Sequence, residues 1–241
     1  MATPTPAVAS QPEPASPVKG LIEAFVNPAE LFGKLDRMPK WGWLAPIAVG
    51  IIVSVAVQYF MHPYRKPAIL GMITDDMAPQ MAQALRQSAS QGPGQTLIWT
   101  AVFYPIGVLI GAGILTGLAA MFTAKGKYMS FFMGLSFAKL VLLPGLMLTD
   151  VILSLRGVDS VSSMMDLVWT IGPAMFVSSN KLLFNILSQF HVFEVWYLIL
   201  LVILVQKVTG AKRGPAITAA VIYWIIGAAS IVGMLALSGL R

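Results

Sequence analysis

Five stretches of this chain are each long and apolar enough to need lipid around them: 43–60, 97–122, 128–155, about 190–208, and 215–240. Roughly 20 apolar residues carry a helix across the hydrocarbon of a bilayer, where only internal hydrogen bonding satisfies the backbone. Five such stretches rule out an ordinary water-soluble fold. Charged residues make up only 11% of the chain, against roughly 25% in soluble domains. The expected fold is all-α, a bundle of five transmembrane helices. The fourth stretch is among the shorter ones and has Glu194 near its start, which places that end at the membrane interface. A further apolar segment, 167–177, is too short to span and contains Gly172 and Pro173. It is expected to be a re-entrant or interfacial piece packed on protein.

The segments outside these stretches set the orientation. Residues 1–20 are rich in Pro, Ala, Ser and Thr with no basic-then-apolar leader, and read as a disordered cytosolic tail. Pro14 and Pro17 make a minimal PxxP, a spacing that arises freely in such tails. Asn27, Pro28 and Glu30 then give the cap, first-turn proline and capping-box acid of a short helix. Its apolar side is Leu31, Phe32 and Leu35, with Trp41 and Trp43 beyond it and Lys34, Arg37 and Lys40 alongside. These residues are expected to anchor an N-terminal helix lying in the interface. With the N-terminus inside, nine basic residues (Lys19, Lys34, Arg37, Lys40, Lys125, Lys127, Lys207, Lys212, Arg213) lie on the inner side. Six (Arg65, Lys66, Arg86, Arg156, Lys181, Arg241) lie outside. If 167–177 also crossed, the balance would be eight to seven, so the positive-inside rule favours five spans with the C-terminus outside. The net charge of +6 then faces anionic lipid, and no nucleic acid is implied. Residues 75–90 are expected to form an amphipathic helix on the outer face, capped by Asp75 or Asp76 and showing Met77, Met81 and Leu85.

Few residues offer chemistry. The absence of Cys excludes disulfides, thiolate nucleophiles and Cys-bound metals, and His62 and His191 have no HExxH spacing. No GxSxG elbow or Walker loop is present. An enzyme, a cofactor and a metal centre are therefore not expected. Gly107, Gly111, Gly113 and Gly117 form two interleaved small-xxx-small pairs for close helix packing, and 227–233 give the last span a similar narrow surface. Lys139 and Asp150 stand in the third span, eleven residues apart, so an unbroken helix would point both the same way about 16 Å apart. With Glu194 they either form a polar intramembrane track or snorkel to the headgroups. Pro144 between them is expected to kink the helix.

The order of Asn27-Pro28 with Phe32, Gly126 and Tyr128, Pro144, Phe193-x-x-Trp196, and the turn Lys212-Arg213 before Ala216 resembles the Yip family, bacterial type, over about residues 21–240. That resemblance implies five spans with a cytosolic N-terminus. Eukaryotic members are linked to Rab-type GTPases and to traffic between endoplasmic reticulum and Golgi. This chain lacks the Asp-Leu-Tyr-Gly-Pro motif before the first span, which speaks against GTPase binding. Lys139 replaces a small or apolar residue, and Pro144 falls late. The expected role is that of a non-enzymatic, membrane-organising or partner-binding protein of the bacterial plasma membrane, with Phe193 and Trp196 as helix-docking residues. The alternative is a small permease subunit using Lys139, Asp150 and Glu194.

Overall fold

The computed structural model describes residues 15–123, 126–167, 172–177 and 180–239, without the side chains at 123, 164, 165, 181, 182, 231, 232 and 234–239. Lys125, Arg241, the first fourteen residues and part of 167–177 lie outside that set. Among the described residues the chain is helical and has no strand.

Two short helices open it, α1 (Pro17–Val26) and α2 (Pro28–Gly33). The reading of 1–20 as a disordered tail is thus corrected for its last residues. Ser16 caps the amide of Lys19, and Pro17 pre-sets the first turn. Asn27 caps α2 as expected: its Oδ1 accepts from the Glu30 amide at 3.4 Å, and its Nδ2 donates to Glu30 Oε2 at 2.6 Å. Lys34 joins the pair by meeting Glu30 and, at 3.5 Å, Glu23 of α1.

The environment of α2 departs from the expected interfacial anchor. Leu31, Phe32 and Leu35 are buried in the main core, packed with residues of the fourth stretch and of the third. An amphipathic face must be covered, and here protein covers it. Trp43 also faces inward, its ring 5.4 Å from that of Phe132, while Trp41 is 58% exposed and free to sit at an interface.

The long helices follow: α3 (Leu44–Leu70), then α4 (Pro79–Ser90), then α5 (Pro93–Thr123). α3 runs ten residues past the expected end, through Pro63 and Pro67. α4 starts later than expected, because Pro79 supplies the first turn and the aspartates remain in the preceding turn, not acting as caps.

The third stretch is α6 (Tyr128–Ala138) and α7 (Leu143–Arg156), joined by one 3-10 turn at Lys139–Leu142. Pro144 has no N–H and its ring crowds the carbonyl of Leu140, so the chain tightens, and the Leu143 amide bonds Leu140 O instead. This is the central helix of the bundle: 61% of its apolar window is buried in protein, against 28% for α3, α5 and the fourth stretch.

After α8 (Lys181–Leu187) come α9 (Val192–Thr209) and α10 (Arg213–Gly239). Gly210, at φ +70°, ends α9 in the left-handed conformation that glycine adopts without steric cost. α3, α5, α6 with α7, and α9 are each long and apolar enough to cross a membrane. α10 has 27 residues and packs on α5 and α9.

The loop before α8 has one well-built turn. Asp166 Oδ2 accepts from the amides of Ser162 and Ser163 at 2.9 and 2.8 Å, and from their hydroxyls at 3.1 and 3.0 Å. Burial alone would raise this carboxyl, but the four donors outweigh it and hold it below the ordinary carboxylate value. The turn's contribution to stability is therefore full above the ordinary value and fades as pH falls through the lowered one. Hydrogen exchange at 161–167 is expected to rise on acidification through that window, and Asp166→Asn should abolish the pH dependence. Exchange that ignores pH in the wild type would contradict this.

Candidate functional site

The second half of α3 (57–65), the first half of α7 with the residue before it (142–150) and the N-terminal end of α9 come together. A cavity of about 390 Å³ lies between them, within the roughly 300–1,000 Å³ range of ligand sites. Its polar lining is Gln58 and Arg65 from α3, Thr149 and Asp150 from α7, Ser188, Gln189 and His191 from the loop after α8, and Glu194 from α9. Its apolar lining includes Val57, Met61, Leu142, Leu146, Leu148, Leu167 and Phe193.

Each polar group is held differently. Arg65 donates to Gln58, one α3 side chain bracing another about two turns away. His191 caps α9, with Nδ1 accepting from the Glu194 amide at 3.3 Å, which puts any ring proton on Nε2. The Glu194 carboxylate accepts from Trp224 Nε1 of α10 at 3.1 Å. Asp150 Oδ1 is buried and has no hydrogen-bond partner. Phe193 closes one wall by lying against Gly145, where a Cβ would stand 2.8 Å from its ring.

The structure thus brings two of the three sequence-derived polar residues, Asp150 and Glu194, to one cavity. Lys139 is not on its wall. The expectation that Lys139 and Asp150 share a face is corrected, because four residues in a 3-10 turn advance about 80° further than they would in an α-helix. The Lys139 Nζ lies over Gly107 of α5, 4.0 Å from where a Cβ would stand, and interacts through space with Glu194 without ion-pair contact.

Beneath the cavity the polar character continues in three tyrosines that sequence reasoning passed over. Tyr197 Oη and Tyr223 Oη are 3.5 Å apart. Tyr223 Oη fills the space beside Gly111, 2.5 Å from the position of a Cβ. Tyr104 lies against Gly50 of α3, its hydroxyl buried with no hydrogen-bond partner. The available signal was the placement of Tyr, Trp and Arg inside apolar stretches.

The glycine pairs of α5 separate accordingly. Gly107 and Gly111 face the polar interior, whereas Gly113 and Gly117 are exposed and nothing lies within 4 Å of a Cβ at Gly117. Close packing is thus confined to one of the two interleaved pairs. Gly227 and Gly233 of α10 are likewise open. Trp196 is 44% exposed on α9. Among the described residues no group of three or more His, Asp or Glu side chains is placed to hold a metal ion.

The profile of the Yip1 domain matches residues 22–234, which spans α1 to α10 and contains every residue of the cavity. The chain belongs to the Yip1-domain family. Searches of curated proteins and of solved structures find no match. The Yip1 domain is a multispanning membrane domain of a generally non-enzymatic family, and lipid is therefore a partner of this chain. Within this Yip1 domain the charged cavity sits at one end of the bundle, and the apolar core around α2, α6 and α9 fills the other.

Proposed function

We propose that this Yip1-domain protein is a five-span, non-enzymatic protein of the bacterial plasma membrane that binds a small polar or amphiphilic ligand in its cavity, as a carrier or permease subunit does. The observation that carries the reading is that Arg65, Asp150 and Glu194, from three different helices, line one cavity although no two of them pair. Half-burying charges this way is costly without water or a ligand. The basic-residue balance of nine to six supports a cytoplasmic N-terminus and an outer C-terminus, with α10 as the fifth span. On that topology the cavity faces outward. The N-terminal apolar residues Leu31, Phe32 and Leu35 are spent on the chain's own core, which weighs against their serving as a docking face.

A membrane-organising, partner-binding role draws on a different observation. Val192, Val195, Trp196 and Ile199 form an exposed apolar strip on α9 that a second membrane protein could cover.

The chain has no Cys, so single cysteines report without background. Ser188→Cys and Leu148→Cys, both on the cavity wall, should react with a membrane-impermeant thiol reagent added outside intact cells. Labelling only after permeabilisation would reverse the topology. No labelling from either side would sink the ligand-site reading.

A further inference from the structure

The cavity combines both signs of charge in a way that narrows its ligand. Arg65 has five N–H donors, and its one hydrogen bond within the protein goes to Gln58. Asp150 keeps a buried oxygen without a donor. Glu194 has one donor, Trp224. Among the described residues neither carboxylate comes within 4 Å of the guanidinium, although all three line one space.

A simple anion would answer Arg65 and be repelled by two carboxylates. A simple cation would answer the carboxylates and be repelled by Arg65. A zwitterion answers both ends, and guanidinium suits phosphate because its planar fork bonds two oxygens at once.

Depth and lining indicate where such a molecule comes from. Asp150 lies six residues before the end of α7, about 9 Å along the axis, and Glu194 is the third residue of α9. That is close to the depth at which a membrane helix leaves hydrocarbon for headgroups. Leu146 lines the cavity and is 43% exposed, and its neighbour Met147, off the cavity wall, is 52% exposed, so the apolar wall continues to the surface that acyl chains cover.

We propose that the cavity binds the headgroup of a zwitterionic aminophospholipid of the phosphoethanolamine type, with phosphate at Arg65 and ammonium between Asp150 and Glu194. This rests on reading the cavity as a ligand site. The acyl chains lie outside along Leu146, and the primary ammonium supplies the donors that Asp150 lacks.

The test uses the full chain in nanodiscs of equal phosphatidylethanolamine and phosphatidylglycerol, with retained lipid counted by native mass spectrometry. Phosphatidylethanolamine should be enriched about tenfold over phosphatidylglycerol, the scale of one charge-assisted hydrogen bond. Replacing it with phosphatidylcholine, whose methylated ammonium has no N–H donor, should remove the enrichment without altering the protein. Asp150→Asn should remove it, and Arg65→Gln should lower the retention of both lipids, each in protein that stays monodisperse. Displacement by free phosphoethanolamine would support the same chemistry from a soluble source. Equal retention of all three lipids would overturn the assignment. If Ser188→Cys is still labelled from outside, that result removes only the headgroup identity, whereas an unreactive cavity removes the ligand site itself.

Discussion

Gly134→Leu should abolish most of the folded protein. Gly134 lies on α6, where a Cβ would stand 3.0 Å from Leu35 Cδ1 and inside contact distance of Leu204 Cδ1. Leu35 is 4% exposed and Leu204 fully buried, so neither has space to retreat. Overpacking a close-packed core costs about 1–3 kcal/mol and sometimes more, and here the insertion pushes α2 and α9 off the central helix together. Fluorescence-detected size exclusion after a heating series should show loss of the monodisperse peak at a much lower temperature than in the wild type. Gly117→Leu is the control, since nothing lies within 4 Å of its Cβ position. Similar behaviour of the two variants would rule out the close approach at Gly134.

The second large effect concerns Lys139 and Glu194, which interact through space in the interior. Lys139→Met leaves the Glu194 carboxylate with Trp224 as its hydrogen-bond donor. Glu194→Gln leaves the Lys139 ammonium without its nearby negative charge. Each single variant should lower the detergent melting temperature, and the double variant should recover much of the loss. The expected coupling is about 0.5–3 kcal/mol, the range for residues within one network. Strictly additive losses would show that the two charges do not sense each other.

Local chemistry was the most legible part of the sequence. Asn27, Pro28 and Glu30 specify their helix start through atoms three residues apart: the expected cap on the Glu30 amide forms, while the Glu30 carboxylate takes the Asn27 side-chain amide because the Asn27 N–H is used by Glu23 O. The same chemistry at Ser16 and Pro17 was masked by the low-complexity residues around it. What covers an apolar face is set by distant residues, so Leu31, Phe32 and Leu35 could be read as membrane-facing when they are core. The α5 glycines show the same limit: spacing proposes two faces, and only the neighbours Lys139 and Tyr223 decide between them. The polar residues were partly legible. Lys139, Asp150 and Glu194 stand out as charges in apolar runs, but their relative direction depends on the 3-10 turn before Pro144. Arg65 reads as an outer-loop charge in the sequence because the apolar run stops at Phe60, whereas the helix continues past it to Leu70.

The contact between α2 and α9 also fixes an order of assembly. Residues 28–33 leave the ribosome about 160 residues before the helix that completes their packing. At ordinary synthesis rates of about 5–20 residues per second, Leu31 and Phe32 wait on the order of 10–30 s with their partner not yet made. During that interval the apolar side of this segment has no protein to cover it. Shielding it falls to the bilayer surface or the insertion machinery. α1 can settle on α3 and α6 earlier, but the packing of α2 is completed only when α9 is in place, so this early-made segment is among the last to reach its final position.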